Sequence, residues 1–194
     1  MKTKATFFAI MLIASTVFTQ KLNAQAAEPM DYKGVSLIGA GISLGYYSYG
    51  ILGSRSISIP PLSAYYELGV HNRITAGPFV GFARWSYRGA FDYSYSWTYL
   101  QGGIRASYHF TGLINELLDM EIDENKLDIY LTLMGGLEYR AYSSSFDSGV
   151  SNKIGIILGP VGGFRYYLTD NLAVFVEGGR GSFGALYLGV SARF

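Results

Sequence analysis

Apolar and polar residues alternate along most of this chain. From about residue 35 onwards, eight stretches repeat the pattern with a period of two and are separated by turn-like segments. A period of two places successive side chains on opposite faces of a β-strand. The pattern therefore predicts eight amphipathic strands, over 35–46, 57–70, 74–88, 97–110, 127–142, 154–169, 172–179 and 184–194.

The length of these stretches indicates which kind of β-protein they form. Most run to ten residues or more. A tilted strand needs about that length to cross a bilayer, whereas strands of soluble proteins usually have about five or six residues. We therefore predict an all-β chain that forms an eight-stranded antiparallel transmembrane β-barrel. A soluble, lipocalin-like barrel is the alternative, and it would require a polar outer face.

The connections between the stretches predict the orientation of the barrel. Outer-membrane barrels have short periplasmic turns and longer external loops. The links at 71–73 and 169–171 are compact, so the chain is expected to enter and leave the barrel at its periplasmic end. The link at 111–126 is long, acidic and spaced like an amphipathic helix, which predicts a short periplasmic helix there. The external links are then 47–56, 89–96, 143–153 and 180–183.

Two prolines and one arginine are unexpected at their positions in the strand pattern. Pro78 and Pro160 fall inside predicted strands. Proline lacks the N–H that a ladder needs, and a closed barrel has no free edge, so either local bulges or different strand limits are expected at both positions. Arg84 falls on the lipid-facing parity. It is expected either above the hydrocarbon or next to a shift in register.

The N-terminus has the features of an export signal. Lysines precede an apolar run over 7–18, and a small-x-small triplet follows at 24–26. This order predicts a cleavable signal peptide over 1–26. The run is too short to span a membrane as a helix. Residues 27–194 are then expected to form one domain, the barrel, in the outer membrane of a bacterium.

Composition narrows the choice of function. The chain has no cysteine, which excludes disulfides, thiolate metal sites and a lipoprotein anchor. A net charge of +1 gives no indication of nucleic-acid binding. Only 15% of the residues are charged, alongside 17 tyrosines and 12 phenylalanines, which suits a lipid-facing surface with aromatic girdles.

These features together resemble the small outer-membrane β-barrel proteins of OmpA/OmpX type. The resemblance covers the predicted signal, the eight strands and the last strand, which ends on Phe194. The signal ending, Asn-Ala-Gln-Ala at 23–26, is similar to those of Bacteroidetes proteins. The resemblance implies that Phe194 is read by the barrel-assembly machinery during insertion. Members of this family include adhesins, lipid A-modifying enzymes, solute conduits and structural anchors.

The polar faces of the predicted strands indicate which side chains fill the lumen. An eight-stranded barrel is only wide enough inside for side chains. Its inward charges are therefore expected to pair with one another rather than to line a wide channel. They are Glu67, Arg105, Glu138, Arg165, Glu177 and Arg193. Inward glycines are expected to leave room for the long charged side chains, and these are Gly103, Gly136, Gly155, Gly159, Gly163 and Gly189.

Aromatic residues cluster towards the predicted external rim. They are Tyr46, Tyr47, Tyr49, Trp85, Tyr87, Tyr93, Tyr95, Trp97, Tyr99 and Tyr142. One interpretation is an aromatic belt at the lipid interface. The other is that the loop members Phe91, Tyr93 and Tyr95 form a binding surface for an extracellular protein or glycan. The two interpretations are compatible for different residues.

No catalytic or metal-binding pattern stands out. The two histidines, His71 and His109, fall at the predicted periplasmic end, away from the external rim where a lipid A-modifying enzyme or outer-membrane protease would act. We therefore expect no enzyme, no cofactor and no metal site.

The predicted function follows from the packed lumen. We expect a monomeric barrel with outer-membrane lipid around it, acting as a structural or surface-interaction protein through its external loops. The alternative is a narrow outer-membrane pore for small or apolar solutes.

Overall fold

A computed structural model describes residues 30–46, 56–88, 94–144, 151–180 and 184–194. The predicted signal peptide lies outside these residues. Among the described residues, no helix combines the length and the apolar character needed to cross a membrane. The elements are β1 (Ser36–Tyr46), β2 (Ser56–His71), β3 (Ile74–Arg88), β4 (Ser94–His109), α1 (Thr111–Leu118), β5 (Leu127–Ser144), β6 (Ser151–Tyr167), β7 (Leu172–Gly179) and β8 (Gly184–Arg193).

The eight strands form a closed antiparallel barrel in sequence order. Closure occurs between β1 and β8, where Ser36 N donates to Phe194 O at 2.8 Å and Phe194 N donates to Ser36 O at 3.0 Å. A closed barrel satisfies its backbone hydrogen bonds between strands and leaves no edge open to lipid. The predicted fold class is confirmed, and the strand limits differ from those predicted by only a few residues.

The barrel has two different ends. The turn end carries the described N-terminal residues, Phe194, α1 and the short links after β2 and β6. The loop end carries the four other connections, whose central residues lie outside the described ranges. Short turns face the periplasm in outer-membrane barrels, so the turn end corresponds to the end predicted to be periplasmic.

The helix is shorter than the segment predicted for it. It ends at Leu118 because Asp119 adopts a left-handed conformation, with φ of 52°. The rest of the segment is held by the Asn115 side chain, which donates to Ile122 O at 2.8 Å and accepts from Ile122 N at 2.9 Å. Sequence periodicity continued past Leu118, but the backbone turn at Asp119 stops the helix.

The outer wall of the barrel is apolar. On β6, Ile154 and Ile156 are 74% and 84% exposed, and Leu158 on the same face is equally open. The outward parities of the other strands also carry exposed Ile, Leu and Val residues. Exposing such a continuous surface to water would be costly, whereas lipid tails solvate it. The outer face is therefore not the polar face that a soluble, lipocalin-like barrel requires.

Neither predicted proline bulge occurs. Opposite Pro160 the β5–β6 register is continuous, and Pro160 O accepts from Arg180 N at 3.0 Å just beyond the end of β7. The N and O atoms of a strand residue point to the same side, so the missing N–H of Pro160 faces the place where β7 has ended. Pro78 interrupts the β2–β3 pairing without changing its register and stays paired with Ile104 of β4.

A bulge occurs instead at a different pair of prolines. Pro60 and Pro61 together oppose the single residue Ala83, because the β2–β3 register shifts between Ile59 and Leu62. Two residues facing one define a β-bulge, where prolines are tolerated. Arg84 lies next to this bulge and keeps its outward parity, since its neighbour Ala83 is fully buried.

Three inward glycines make room for aromatic rings. In the cross-strand pairs Gly39–Tyr65, Tyr130–Gly163 and Phe175–Gly189, the ring lies over the glycine. A Cβ at Gly163 would lie 2.2 Å from the Tyr130 ring, and a Cβ at Gly39 would lie 2.3 Å from the Tyr65 ring. Gly163 and Gly189 therefore accommodate a tyrosine and a phenylalanine ring rather than the long charged side chains expected from the sequence.

Candidate functional site: the lumen and its outer vestibule

The lumen near its middle contains a buried charge cluster centred on Arg105. Its Nε donates to Glu67 Oε1 at 2.5 Å, and its Nη2 donates to Glu177 Oε1 at 2.7 Å. The guanidinium also lies 4.0 Å above the ring of Tyr65. One arginine thus neutralises part of the charge of two buried carboxylates, and Ser107 and Thr75 donate further hydrogen bonds to Glu67.

A second cluster lies nearer the turn end. Arg165 Nη1 donates to Asp128 Oδ2 at 2.5 Å, and His109 Nδ1 lies 2.8 Å from Asp128 Oδ1. The other ring nitrogen of His109 is 3.1 Å from Thr75 Oγ1, which connects the two clusters. Asp128 and His109 were missing from the predicted charge network. Both lie on the inward parity of their strands, and that parity was the signal that could have identified them.

The other two predicted network residues lie apart from these clusters. Glu138 is near the loop end, where Gln101 Nε2 donates to it at 2.5 Å and Arg140 pairs with it. Arg193 is at the turn end, where its Nε donates to Asp170 O at 2.5 Å and its guanidinium lies 3.9 Å above the Tyr167 ring. The structure therefore brings four of the six predicted residues into contact-linked clusters and leaves two at opposite ends.

The periplasmic mouth is covered by the residues that precede β1. Tyr32 is buried and stacks on His109, with ring centroids 3.7 Å apart. Its backbone N donates to Asn72 O at 3.0 Å, and Met30 N donates to Glu124 Oε2 at 3.1 Å. Burial, and then the nearby Asp128 carboxylate, raise the pKa of Tyr32 well above its usual range, so its hydroxyl stays neutral. We call residues 30–35 the periplasmic strap.

An apolar plug fills the lumen on the loop side of the charge clusters. It consists of Tyr65, Phe79, Met134, Ile157, Val161, Phe175 and Tyr187. All are nearly or fully buried, and they come from strands on every side of the barrel. Tyr187 also donates to Ser63 O at 2.6 Å, which joins β8 to β2 over the intervening strand β1. The described part of the lumen is thus packed with side chains.

Above the plug, aromatic side chains face inward rather than towards lipid. Trp85, Trp97, Tyr99 and Tyr142 share the strand faces of buried Ala83, Gln101 and Glu138. Trp85 meets Tyr99 edge-on at 5.2 Å between centroids, and Trp97 lies 4.5 Å from Tyr142. These four residues are therefore not part of an aromatic belt at the lipid interface.

Two cations accompany these aromatic side chains. Arg140 lies 5.8 Å from the centre of the Tyr99 ring, and its side chain is 51% exposed. Lys153 of β6 is the cross-strand neighbour of Arg140 in the backbone register. It lies on the same inward face and is exposed. We call Trp85, Trp97, Tyr99, Tyr142, Arg140 and Lys153, with Gln101 and Glu138 beneath them, the outer vestibule.

The predicted loop-binding residues are only partly described. Phe91 and Tyr93 lie outside the described residues. Tyr95 begins the outer part of β4, paired with Tyr87 and Ser144, and is half-buried on the inward parity. His71 lies at the turn end and is exposed, while His109 is buried under Tyr32. Among the described residues, no group of three acidic or imidazole side chains is arranged to hold a metal ion.

Comparisons with known proteins bear on the fold. No protein-family model matches the sequence, and no curated protein is significantly similar to it. Among solved structures, the barrel is similar to the attachment invasion locus protein Ail of Yersinia pestis, crystallised with the heparin analogue sucrose octasulfate. The identity is 15% and the TM-score 0.50, over 84% of this chain and 99% of that chain.

Two Pseudomonas aeruginosa proteins are also similar. The outer membrane protein OprG is 12% identical with a TM-score of 0.48, over 84% of this chain and 97% of that chain. The N-terminal β-barrel domain of OprF is 13% identical with a TM-score of 0.41, over 84% and 99%. The closed eight-stranded barrel, its apolar outer wall and the likeness to Ail together identify the fold as that of a small bacterial outer-membrane β-barrel protein.

Proposed function

We propose that this protein is a surface-interaction barrel that binds an anionic glycan at its outer vestibule. The observation that carries the proposal is the inward-facing group of Trp85, Trp97, Tyr99 and Tyr142 beside two exposed cations. Flat aromatic faces pack against the apolar faces of sugar rings, and exposed aromatic residues often anchor binding. Arg140 and Lys153 supply charge for sulfate or carboxylate groups.

The polar residues beneath the aromatic side chains suit the same ligand. Gln101 and Glu138 are buried and hydrogen-bonded to each other, so they form a fixed polar floor. Such a floor under aromatic walls is typical of sites that orient a polar ligand. The heparin analogue bound by Ail gives independent support for a sulfated glycan, because that protein has the same fold. A protein ligand is the other partner that the sequence allowed.

Tryptophan fluorescence offers a direct test. The chain has two tryptophans, and both lie in the outer vestibule. Titrating the barrel in phosphatidylcholine nanodiscs with a heparin octasaccharide should give a saturable change in emission. A chitin oligosaccharide of equal length, which lacks sulfate, should bind more weakly. Arg140→Gln should weaken heparin binding by roughly tenfold, the loss expected from one charge-assisted contact.

Tyr139→Ala is the matched control for that variant. Tyr139 adjoins Arg140 on β5, but it points to the outer wall. Its removal should leave the heparin titration unchanged. If neither oligosaccharide changes the emission, or if Tyr139→Ala weakens binding as much as Arg140→Gln, the glycan proposal is wrong.

The apolar plug favours this function over the narrow pore. A conducting path would have to pass the side chains of Phe79, Met134 and Phe175, which are buried against one another. Below them the Arg105 cluster and the periplasmic strap occupy the same lumen. We therefore infer that the barrel anchors its outer surface in the membrane without conducting solutes, and we infer no catalytic role, since His109 is buried under Tyr32.

We further infer that residues 1–26 direct export and that Phe194 serves as the signal for the barrel-assembly machinery. Phe194 is exposed on the outer wall and is hydrogen-bonded to Ser36 at the β1–β8 closure. An exposed aromatic side chain on the closing strand is accessible before the barrel closes. The ending of residues 23–26 suggests a Bacteroidetes type of export signal.

A further inference from the structure

The outer wall carries a groove across β1 to β4. Its floor contains the small side chains of Ala40 and Ala64, which pair across β1 and β2, and Val80 of β3 lies beside them, paired with Ala64. Larger residues, among them Leu62, Phe82 and Leu100, line its side towards the loop end. The groove has a volume of about 540 Å³ and an almost wholly apolar lining. It faces the hydrocarbon, so its occupant must be apolar.

Arg84 lies directly above this groove. It is two residues beyond Phe82 on the same outward face of β3, and it pairs with Thr98, which lies two residues beyond Leu100 on β4. The next outward residues on these two strands are Ser86 and Ser96, so on β3 and β4 the apolar wall ends at Phe82 and Leu100, just below Arg84. Arg84 is exposed and has no hydrogen-bond or ion-pair partner among the described residues.

The position of Arg84 matches a lipid phosphate. An arginine at the edge of the hydrocarbon extends its head group into the interface, where phosphate groups lie. Its planar guanidinium binds phosphate oxygens with two parallel hydrogen bonds. Because the loop end faces outwards, the interface concerned is that of the outer leaflet.

A second copy of the chain fits this surface poorly. The acidic residues within the described strands are Glu67, Asp128, Glu138 and Glu177, and all four point into the lumen. A neighbouring barrel would therefore offer the unpaired Arg84 no strand carboxylate at this level. A lipid supplies both an anion for the arginine and an apolar chain for the groove.

We propose that Arg84 and the groove beneath it form a binding site for one phosphate-bearing lipid of the outer leaflet. The guanidinium holds the phosphate, and one acyl chain lies along the floor formed by Ala40 and Ala64. This site is on the outer wall, separate from the outer vestibule, so its test does not depend on the glycan proposal. It also gives a role to a charged residue that otherwise breaks the apolar pattern of β3.

Native mass spectrometry of the detergent-purified barrel can test this site. The probes are lipid A with two phosphates, the same lipid A after enzymatic dephosphorylation, and inorganic phosphate. Wild-type protein should bind the phosphorylated lipid about tenfold more tightly than the dephosphorylated one, as expected for one charge-assisted contact. Inorganic phosphate alone should not compete, because it cannot fill the groove.

Two variants separate the head group from the chain. Arg84→Gln should reduce binding of phosphorylated lipid A by about tenfold and leave the dephosphorylated form unaffected. Ala64→Leu, which fills the groove, should weaken binding of both forms. Arg180→Gln is the matched control, since Arg180 is also an exposed cation at the loop end but lies beyond β7, outside the groove. It should bind like wild type.

Three results would overturn the proposal. The first is equal binding of the phosphorylated and dephosphorylated lipids. The second is an equal loss in the Arg84→Gln and Arg180→Gln variants, which would indicate general attraction to a basic rim. The third is a wild-type dimer that Ala64→Leu dissociates, which would make a second copy the occupant of the groove. Each variant is first checked for a folded barrel by its gel mobility before and after boiling.

Discussion

Single residues in the lumen are constrained by burial. Arg105, Glu67 and Glu177 are almost completely buried, and each depends on the others for its charge compensation. Removing one member of such a set leaves an uncompensated charge, which costs more than the intact interaction contributes. The inward glycines are constrained by space, because neighbouring atoms already occupy the position that a side chain would take. Both kinds of residue are therefore sensitive to changes of only a few atoms.

Replacing Arg105 by methionine should destabilise the barrel severely. Glu67 and Glu177 would keep their burial and lose their cation, so we expect the free energy of unfolding to fall by about 3 kcal/mol. Urea unfolding from lipid vesicles measures this change. Arg73→Gln is the control, since it removes the exposed ion pair with Glu116 and should cost about 0.5 kcal/mol or less. Similar losses in the two variants would contradict the role assigned to the buried cluster.

Replacing each of two adjacent glycines by alanine should change the free energy of unfolding by different amounts. A Cβ at Gly163 would overlap the Tyr130 ring, so Gly163→Ala should cost about 2 kcal/mol through overpacking. At Gly162, on the outer face, the nearest atom is Gly178 O at 3.9 Å, so Gly162→Ala should be nearly neutral. The same unfolding measurement compares them. A neutral Gly163→Ala would mean that the ring moves aside at little cost.

Among the elements, the periplasmic strap precedes the first strand, and only its last residue falls within the predicted limits of that strand. It is held by Tyr32 in the barrel mouth and by backbone hydrogen bonds from Gly34 N to Gly69 O and from Gly69 N to Val35 O. The fit is tight, because a Cβ at Gly69 would lie 1.6 Å from Tyr32 O. The strap thus covers His109 and extends the sheet at the turn end.

Removing the Tyr32 ring should release the strap without opening the barrel. Truncating a buried aromatic residue costs about 3 kcal/mol, so Tyr32→Ala should speed tryptic cleavage after Lys33 by roughly tenfold or more. Tyr32→Phe keeps the stacked ring and is the control, with cleavage close to wild type. The boiled and unboiled gel mobilities should be unchanged in both. Equal cleavage of the alanine variant and wild type would show that Tyr32 does not hold the strap.

At the scale of the whole molecule, the side chains that fill the lumen change in character along the barrel axis. Charge clusters occupy the periplasmic half of the lumen, the apolar plug lies above them, and the outer vestibule lies at the loop end. The lipid-facing wall is apolar, and on β3 and β4 it ends below Arg84 and Thr98. This division separates a structural half from the half that faces the cell exterior.

Because the lumen is packed with side chains, we predict that the barrel does not conduct ions. Wild-type protein inserted into planar bilayers should give no current above that of the bare membrane, because side chains fill the interior of a barrel of this size. Insertion of the same sample is verified by the mobility difference between boiled and unboiled protein. Regular stepwise currents from folded protein would contradict the closed lumen and revive the pore function.

The sequence by itself determined the number of strands, their approximate limits and the face on which each residue lies. These properties are local, since strict alternation assigns a side chain to one face wherever the strand ends up. Asp128 and His109 had the correct parity for the lumen, as had Glu67 and Arg105. Alternation alone could not say which of these residues meet.

The tertiary structure decided the contacts, because they depend on the register between strands that are distant in sequence. Register put Asp128 beside Arg165, left Glu138 at the loop end and brought Trp97 beside Tyr142. It also placed the bulge at Pro60 and Pro61 rather than at Pro78 and Pro160, where the register is unchanged. Closure of the barrel fixes register for all eight strands at once, and no single strand's sequence contains that constraint.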